Sequence, residues 1–181
     1  MLHARTVEEA FLYLDLHPCV CGQVQFDGTH ELLVGENGTV LRLTGKCPSC
    51  DAERRYEFTL ESVADQAGAR KPSTLLDAAE FVWLSDRAAD RVPVDTGALS
   101  PVEVETARAD LERAVELLDE VVAFIPEGAT EVPPSLITST TGKVLLVAEP
   151  GRFQLAELTQ RIGLYQRKIA QLSDQADEFA R

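Results

Sequence analysis

The cysteines of this chain stand at Cys19, Cys21, Cys47 and Cys50, and there are no others. They form two pairs, Cys19-Val20-Cys21 and Cys47-Pro48-Ser49-Cys50, with Gly22 after the first and Pro48-Ser49 inside the second. Two closely spaced thiol pairs, each in a turn, can supply four sulfurs to one tetrahedral metal ion. Zinc is the ion that such a ligand set favours, with a disulfide pair or four free thiols as the competing states. Four thiolates close the tetrahedron, so the ion would be structural, with no open position for a reacting water. The first pair has one intervening residue where two are usual. That tightens its loop and makes His17 the alternative ligand. His30 and His3 read as ordinary turn and terminal residues.

The elements around the pairs must bring the two turns together. Thr6 followed by Glu9 is a capping-box pattern, and Ala10, Phe11, Leu14 and Leu16 supply an apolar side, which predicts a helix over 7–16 ending before Pro18. Polar and apolar residues alternate over 23–26, in parts of 31–34 and 39–44, and again over 55–60. Asp27-Gly28 and Glu36-Asn37-Gly38 mark turns between them. The order is ligand turn, hairpin strands, ligand turn, strand, which is a zinc ribbon. A module of that size has little core of its own, so metal binding contributes to its folding. Lys46, Arg54 and Arg55 form a small basic cluster near the second turn, read first as partly neutralising the anionic thiolates.

The rest of the chain is helical in pattern. Ser73 is the expected cap of a stretch reaching Val92, apolar on most of its circumference over 75–84, with Trp83 counted as core. Ser100-Pro101-Val102-Glu103 is a full start signal. The stripe Val104, Ala107, Leu111, Ala114, Leu118, Val121 and Ile125 then recurs at helical steps until Pro126. Glu112, Glu116 and Glu120 lie four apart on the opposite side, a like-charge row that costs a little and presents an acidic face. A last helix is expected from about Gly151 or Arg152 almost to the end, with Leu155, Leu158, Ile162, Tyr165, Ile169, Leu172, Ala176 and Phe179 as its stripe. The two long stripes predict an antiparallel helix pair within the chain, or alternatively a homodimeric coiled coil. Gly163, off the stripe, is either a place of close backbone approach or a tolerated local weakness. Residues 127–150 form a long connection, fit for binding a partner, in which 144–147 is a short strand or a buried segment. Thr141-Gly142-Lys143 lacks the earlier glycine and the strand-before, helix-after context of a phosphate loop.

The fold class expected is α+β: a small antiparallel zinc-ribbon sheet with an N-terminal helix over residues 1–62, and an acidic helical body over 63–181 packed against it. At 45% apolar residues, disorder is not expected. The net charge is −13, and residues 61–150 alone carry seventeen acids against seven bases. Such a balance disfavours nucleic acid and suits either a basic protein partner or an acidic protein simply kept soluble by its charge. No apolar run is long enough to span a bilayer and no leader pattern opens the chain, so a cytoplasmic, monomeric or homodimeric protein is expected.

The run His17-Pro18-Cys19-Val20-Cys21-Gly22, with Gly45-Lys46-Cys47-Pro48-Ser49-Cys50 and Tyr56-Glu57-Phe58, resembles uncharacterised bacterial zinc-ribbon proteins. Residues 118–126, Val132-Pro133 and Glu149-Pro150-Gly151-Arg152-Phe153 are similar to the helical part of that group. The resemblance implies the ribbon and the helical body but no activity. By analogy, a small acidic non-catalytic protein of this build suits immunity against a secreted toxin. The leading expectation is therefore a non-enzymatic interaction protein whose acidic helices, including Glu112, Glu116 and Glu120, dock a basic partner. Two alternatives are a nucleic-acid-associated ribbon using Lys46, Arg54 and Arg55, and a hydrolase with carboxylates between the helices. A deep acidic pocket with raised carboxylates would mark the last.

Overall fold

The computed structural model describes residues 1–35, 38–62 and 71–179. The chain divides into two units, Met1–Leu76 and Asp77–Arg181.

The first unit contains β1 (Leu2–Ala4), α1 (Val7–Leu16), β2 (Asp27–Gly35), β3 (Gly38–Lys46) and β4 (Glu53–Leu60), with sheet order β1-β4-β3-β2. Strands β2, β3 and β4 form the expected antiparallel meander, while β1 pairs parallel with β4, so the sheet is mixed. β1 is three residues long, too short for its alternation to register in the sequence. Thr6 caps α1 as expected, its hydroxyl accepting the Glu9 N–H at 3.2 Å. Glu9, however, turns to Arg5, accepting its backbone N–H at 2.6 Å and pairing with its guanidinium at 2.8 Å. Leu41 and Leu43 of β3 and Phe58 of β4 alternate inward against Ala10 and Leu14 of α1 and Ala4 of β1.

Two strand expectations are corrected. Asp27-Gly28 is no turn: it pairs in register with Lys46 and Gly45 and opens β2. Residues 23–26 form no strand, because their backbone groups are committed elsewhere. The Gln23 carbonyl accepts from Cys19 N–H at 2.9 Å, and the Gln25 carbonyl accepts from Arg54 at 3.2 Å. The expected turn at Glu36-Asn37 lies outside the described residues; Gly38 opens β3.

In the second unit, α2 (Ala78–Ala89), α3 (Pro101–Val122), α4 (Thr140–Ala148) and α5 (Leu155–Phe179) carry the structure. The cap of α2 is Asp77 rather than Ser73. Asp77 and Glu80 form a complete capping box, whereas the Ser73 hydroxyl accepts from Leu75 and Leu76 N–H and holds a bend before the helix. The other carboxylate oxygen of Asp77 accepts the N–H groups of Thr138 and Ser139, at 2.8 and 2.6 Å. One buried carboxylate thus starts α2 and pins the approach to α4. Ser100 and Glu103 complete the predicted box on α3, with Pro101 at its first position.

The α3 stripe is buried at Val104, Ala107, Leu111, Ala114, Leu118 and Val121, with Leu117 added. Val104, Ala107 and Leu111, from the first half of α3, pack with Leu172 and with Tyr165, Ile169 and Ala176, from the middle and second half of α5. α5 starts later than expected, because Pro150–Phe153 forms a 3-10 turn first. Its stripe is unevenly used: Leu158 and Leu172 are buried, while Phe179 is exposed. Gly163 is no point of close approach, since an added Cβ would meet only the Arg167 side chain, at 3.5 Å. Among the described residues, no helix is long and apolar enough to cross a membrane.

Trp83 is not core. It is 39% exposed, with the Arg87 guanidinium 4.7 Å above its ring, because the buried face of α2 runs through Phe81, Val82, Leu84, Ser85 and Ala88. Residues 144–147 are neither strand nor buried. Ser139 caps α4 by accepting the Gly142 N–H, and Gly142 is buried where a Cβ would strike Ala79 and Ile137. That close approach fixes one side of α4 and leaves Val144 and Val147 exposed on the helix.

Candidate metal centre

The register of the sheet explains why the two cysteine turns meet. Lys46 ends β3 opposite Glu53 of β4 and opposite Asp27 of β2. The Cys47–Cys50 turn therefore links β3 to β4 at the same end where the Cys19–Cys21 segment feeds into β2.

Each turn is closed by its own backbone. In the first, Cys19 N–H bonds the Gln23 carbonyl at 2.9 Å and Gly22 N–H bonds the Cys19 carbonyl at 2.7 Å. In the second, Cys47 N–H bonds the Ala52 carbonyl and Asp51 N–H bonds the Cys47 carbonyl, both at 2.9 Å. The residue after the second cysteine has positive φ in both, 87° at Gly22 and 58° at Asp51. The one-residue spacing thus shortens the turn without changing how it ends. Glycine adopts that conformation freely, and aspartate is among the few other residues that tolerate it. Gly22 was visible in the sequence as a turn-former; Asp51 shows the same conformation with a weaker signal.

The four Sγ atoms lie within 4.8 Å of one another, with Cys19–Cys50 and Cys21–Cys47 both at 3.5 Å. A tetrahedron with metal–sulfur bonds of about 2.3 Å has sulfur–sulfur edges of about 3.8 Å, whereas a disulfide needs about 2.05 Å. All four thiols are free, Cys19 and Cys47 buried and Cys21 and Cys50 exposed. The arrangement therefore fits a single metal ion and excludes a disulfide pair in this structure.

The electrostatics point the same way. Burial pushes the Cys47 thiol up, but the N–H groups of Ser49 and Cys50 and the neighbouring Cys21 and Cys19 sulfurs outweigh it, bringing it down to about 6. Cys50 is pulled down by Ala52 N–H, yet the sulfurs of Cys19, Cys21 and Cys47, with burial, drive it up to about 12. Sulfurs this close cannot all ionise alone; a central cation would let them do so.

His17 does not join the cluster. Its Nδ1 donates to the Tyr13 carbonyl at 2.8 Å, and its ring stacks on Tyr13 with centroids 3.8 Å apart. His30 sits in β2 rather than in a turn, and His3 in β1 lies beside Thr59 and Glu61. The three cations near the second turn do not form one patch. Lys46 pairs with Asp51 at 3.3 Å, Arg55 with Glu57 at 2.9 Å, and Arg54 is buried.

The acidic row of α3 is not bare. Glu112 pairs with Arg108 at 2.7 Å and Glu116 with Arg113 at 3.1 Å, and Glu120 is also engaged. The arginines interleave with the acids at helical spacing, so the repulsion expected along the row is offset locally. The cost of the acidic face is correspondingly smaller. Two carboxylates away from that row, Glu57 on β4 and Glu103 at the start of α3, are held below the ordinary carboxylate range. Hydrogen bonds from Arg55 and Arg42 hold Glu57 down, and those from Ser100 hold Glu103 down.

No protein-family model, no curated protein and no solved structure matches the chain.

Proposed function

We propose that this chain is a non-enzymatic interaction protein in which a structural zinc ion staples the first unit and the acidic helices of the second dock a basic protein. The observation that carries the metal part of the proposal is the sulfur cluster. Four ligand atoms from four residues surround one point, and the pair spacing and all-sulfur set favour zinc. With four protein ligands the ion has no position for water or substrate, so its contribution is folding energy rather than chemistry.

The partner assignment follows from charge. The second unit carries nineteen acids against ten bases, and α3 alone carries seven acids against two arginines. After Arg108 and Arg113 are paired, α3 retains a negative excess that attracts a cationic surface and repels phosphate. Immunity against a basic toxin is one role with this chemistry. The nucleic-acid reading is weakened by the cations it requires: Arg54 is buried, and Lys46 and Arg55 already have carboxylate partners.

The test pairs capture of partners from the native cell by the wild-type chain with capture by a Glu112→Lys, Glu116→Lys, Glu120→Lys variant. The proposal expects a basic protein retained by the wild type, released by salt, and lost from a variant with an unchanged circular dichroism spectrum. Retention of that protein by the folded variant would refute the surface assignment.

A further inference from the structure

Arg54 is 5% exposed, yet among the described residues none of its contacts is a carboxylate. Its Nη2 donates to the His17 carbonyl at 3.0 Å, its Nη1 to the Gln25 carbonyl at 3.2 Å, and its Nε to the Tyr56 hydroxyl at 3.2 Å. The guanidinium carbon also lies 5.4 Å from the Phe26 ring centre and 5.6 Å from that of Tyr56. A buried cation normally requires a countercharge, since removing it from water without one is strongly unfavourable.

The two carbonyls it holds are not arbitrary. His17 stands two residues before Cys19, and Gln25 four residues after Cys21. Arg54 itself lies on β4, opposite Gly45 and four residues after Cys50. One planar guanidinium therefore grips the entry and the exit of the first cysteine turn from the strand that leaves the second. The fork geometry of arginine, with donors diverging in one plane, suits this task; a lysine ammonium cannot reproduce it.

We propose that Arg54 is a positioning residue of the metal centre. It clamps both ends of the Cys19–Cys21 turn in the conformation that presents the sulfurs, and it supplies a positive charge to a centre that is dianionic when four thiolates hold one divalent ion. The proposal rests on the zinc reading. It explains both why the arginine is buried and why its partners are neutral. It also separates Arg54 from Lys46 and Arg55, whose charges are matched by Asp51 and Glu57.

The experiment measures zinc affinity by competition with a chromophoric chelator, and the absorption spectrum of the cobalt-substituted protein, for the full chain and its Arg54→Met and Arg54→Lys variants. Loss of an outer partner of a metal site costs about 10–100-fold in affinity. Arg54→Met is expected to weaken zinc by that factor and to shift the sulfur-to-cobalt charge-transfer band. Arg54→Lys, which keeps the charge but not the fork, is expected to lose less and still to differ from the wild type. Should Arg54→Met fail to fold, Arg54→Lys carries the test alone. Wild-type affinity and an unshifted cobalt band in the folded variants would overturn the proposal. A wild-type chain that takes up neither zinc nor cobalt would overturn the zinc reading beneath it, a result distinct from metal binding that is indifferent to Arg54.

Discussion

The two units of this chain bury apolar side chains to different extents. Of the twelve largest fully buried side chains, three, Leu41, Leu43 and Phe58, belong to the first unit and nine to the second. In the first, β2 is exposed along all nine residues, leaving only part of the sheet to pack against α1. In the second, α2, α3 and α5 bury Phe81, Leu111, Leu118, Leu158 and Leu172. A unit of fewer than about 80 residues with a small core gains only about 3–5 kcal/mol from that core, and small natural domains commonly add a metal. The cysteine cluster is arranged to hold such an ion where apolar burial is scarce, whereas the second unit is cysteine-free and has the larger apolar core.

The comparison can be broken most severely by removing the metal. Chelation, or Cys47→Ser, is expected to unfold the first unit while the second keeps its helices. Trp83, the sole tryptophan and a residue of α2, reports on the second unit. Its emission should stay unchanged while amide protons of β3 and β4 lose protection from hydrogen exchange. Persistent strand protection without metal would show that the sheet stands by its own core.

The converse is a core truncation in the second unit. Leu118→Ala removes a fully buried side chain and should cost about 2–5 kcal/mol in denaturant unfolding followed by Trp83. Zinc affinity should not change; a coupled loss would mean that the units do not behave independently. Asp77→Ala is expected to cost somewhat less, about 2–4 kcal/mol, because it removes the α2 cap and leaves the Thr138 and Ser139 N–H groups without their acceptor.

A smaller effect comes from pH. Glu57 lies opposite Arg42 in the β4–β3 register, and hydrogen bonds from Arg55 and Arg42 depress its titration in the folded state. Its contribution is complete above the unfolded glutamate range and is lost as pH falls through the depressed folded value. Under acid titration of the metal-loaded chain, the wild type should lose more stability than Glu57→Gln; equal losses would remove Glu57 from the account. The smallest effect is expected at the α4 surface. Val144→Asp with Val147→Asp should change stability by no more than about 0.5 kcal/mol per site, since both side chains are exposed.

Where local chemistry decides structure, the sequence was readable. The paired cysteines, Thr6, and the Ser100–Glu103 box each specify a conformation through atoms within a few residues, and each does so here. The α3 stripe is equally plain because one helix face meets one core. Tertiary competition hid most of the rest. Trp83 has a core residue's chemistry but lies off the buried face of α2. The apolar run at 144–147 suggested burial, although Gly142 sets which side of α4 packs. One miss is purely local: Asp77-Ala78-Ala79-Glu80 is itself a capping-box pattern, and the Ser73 hydroxyl serves a bend before it. Arg54 looked like one of three surface cations. Its burial depends on the His17 and Gln25 carbonyls, which lie 37 and 29 residues away in the chain.

The central claim, that a four-thiolate zinc centre holds the first unit together, is tested most directly by native mass spectrometry of the chain purified without added metal, with thiol counting after denaturation. One zinc ion per chain is predicted, with four free thiols on unfolding and loss of the ion in Cys47→Ser. A folded chain carrying no metal, or one whose cysteines are joined as disulfides, would contradict it.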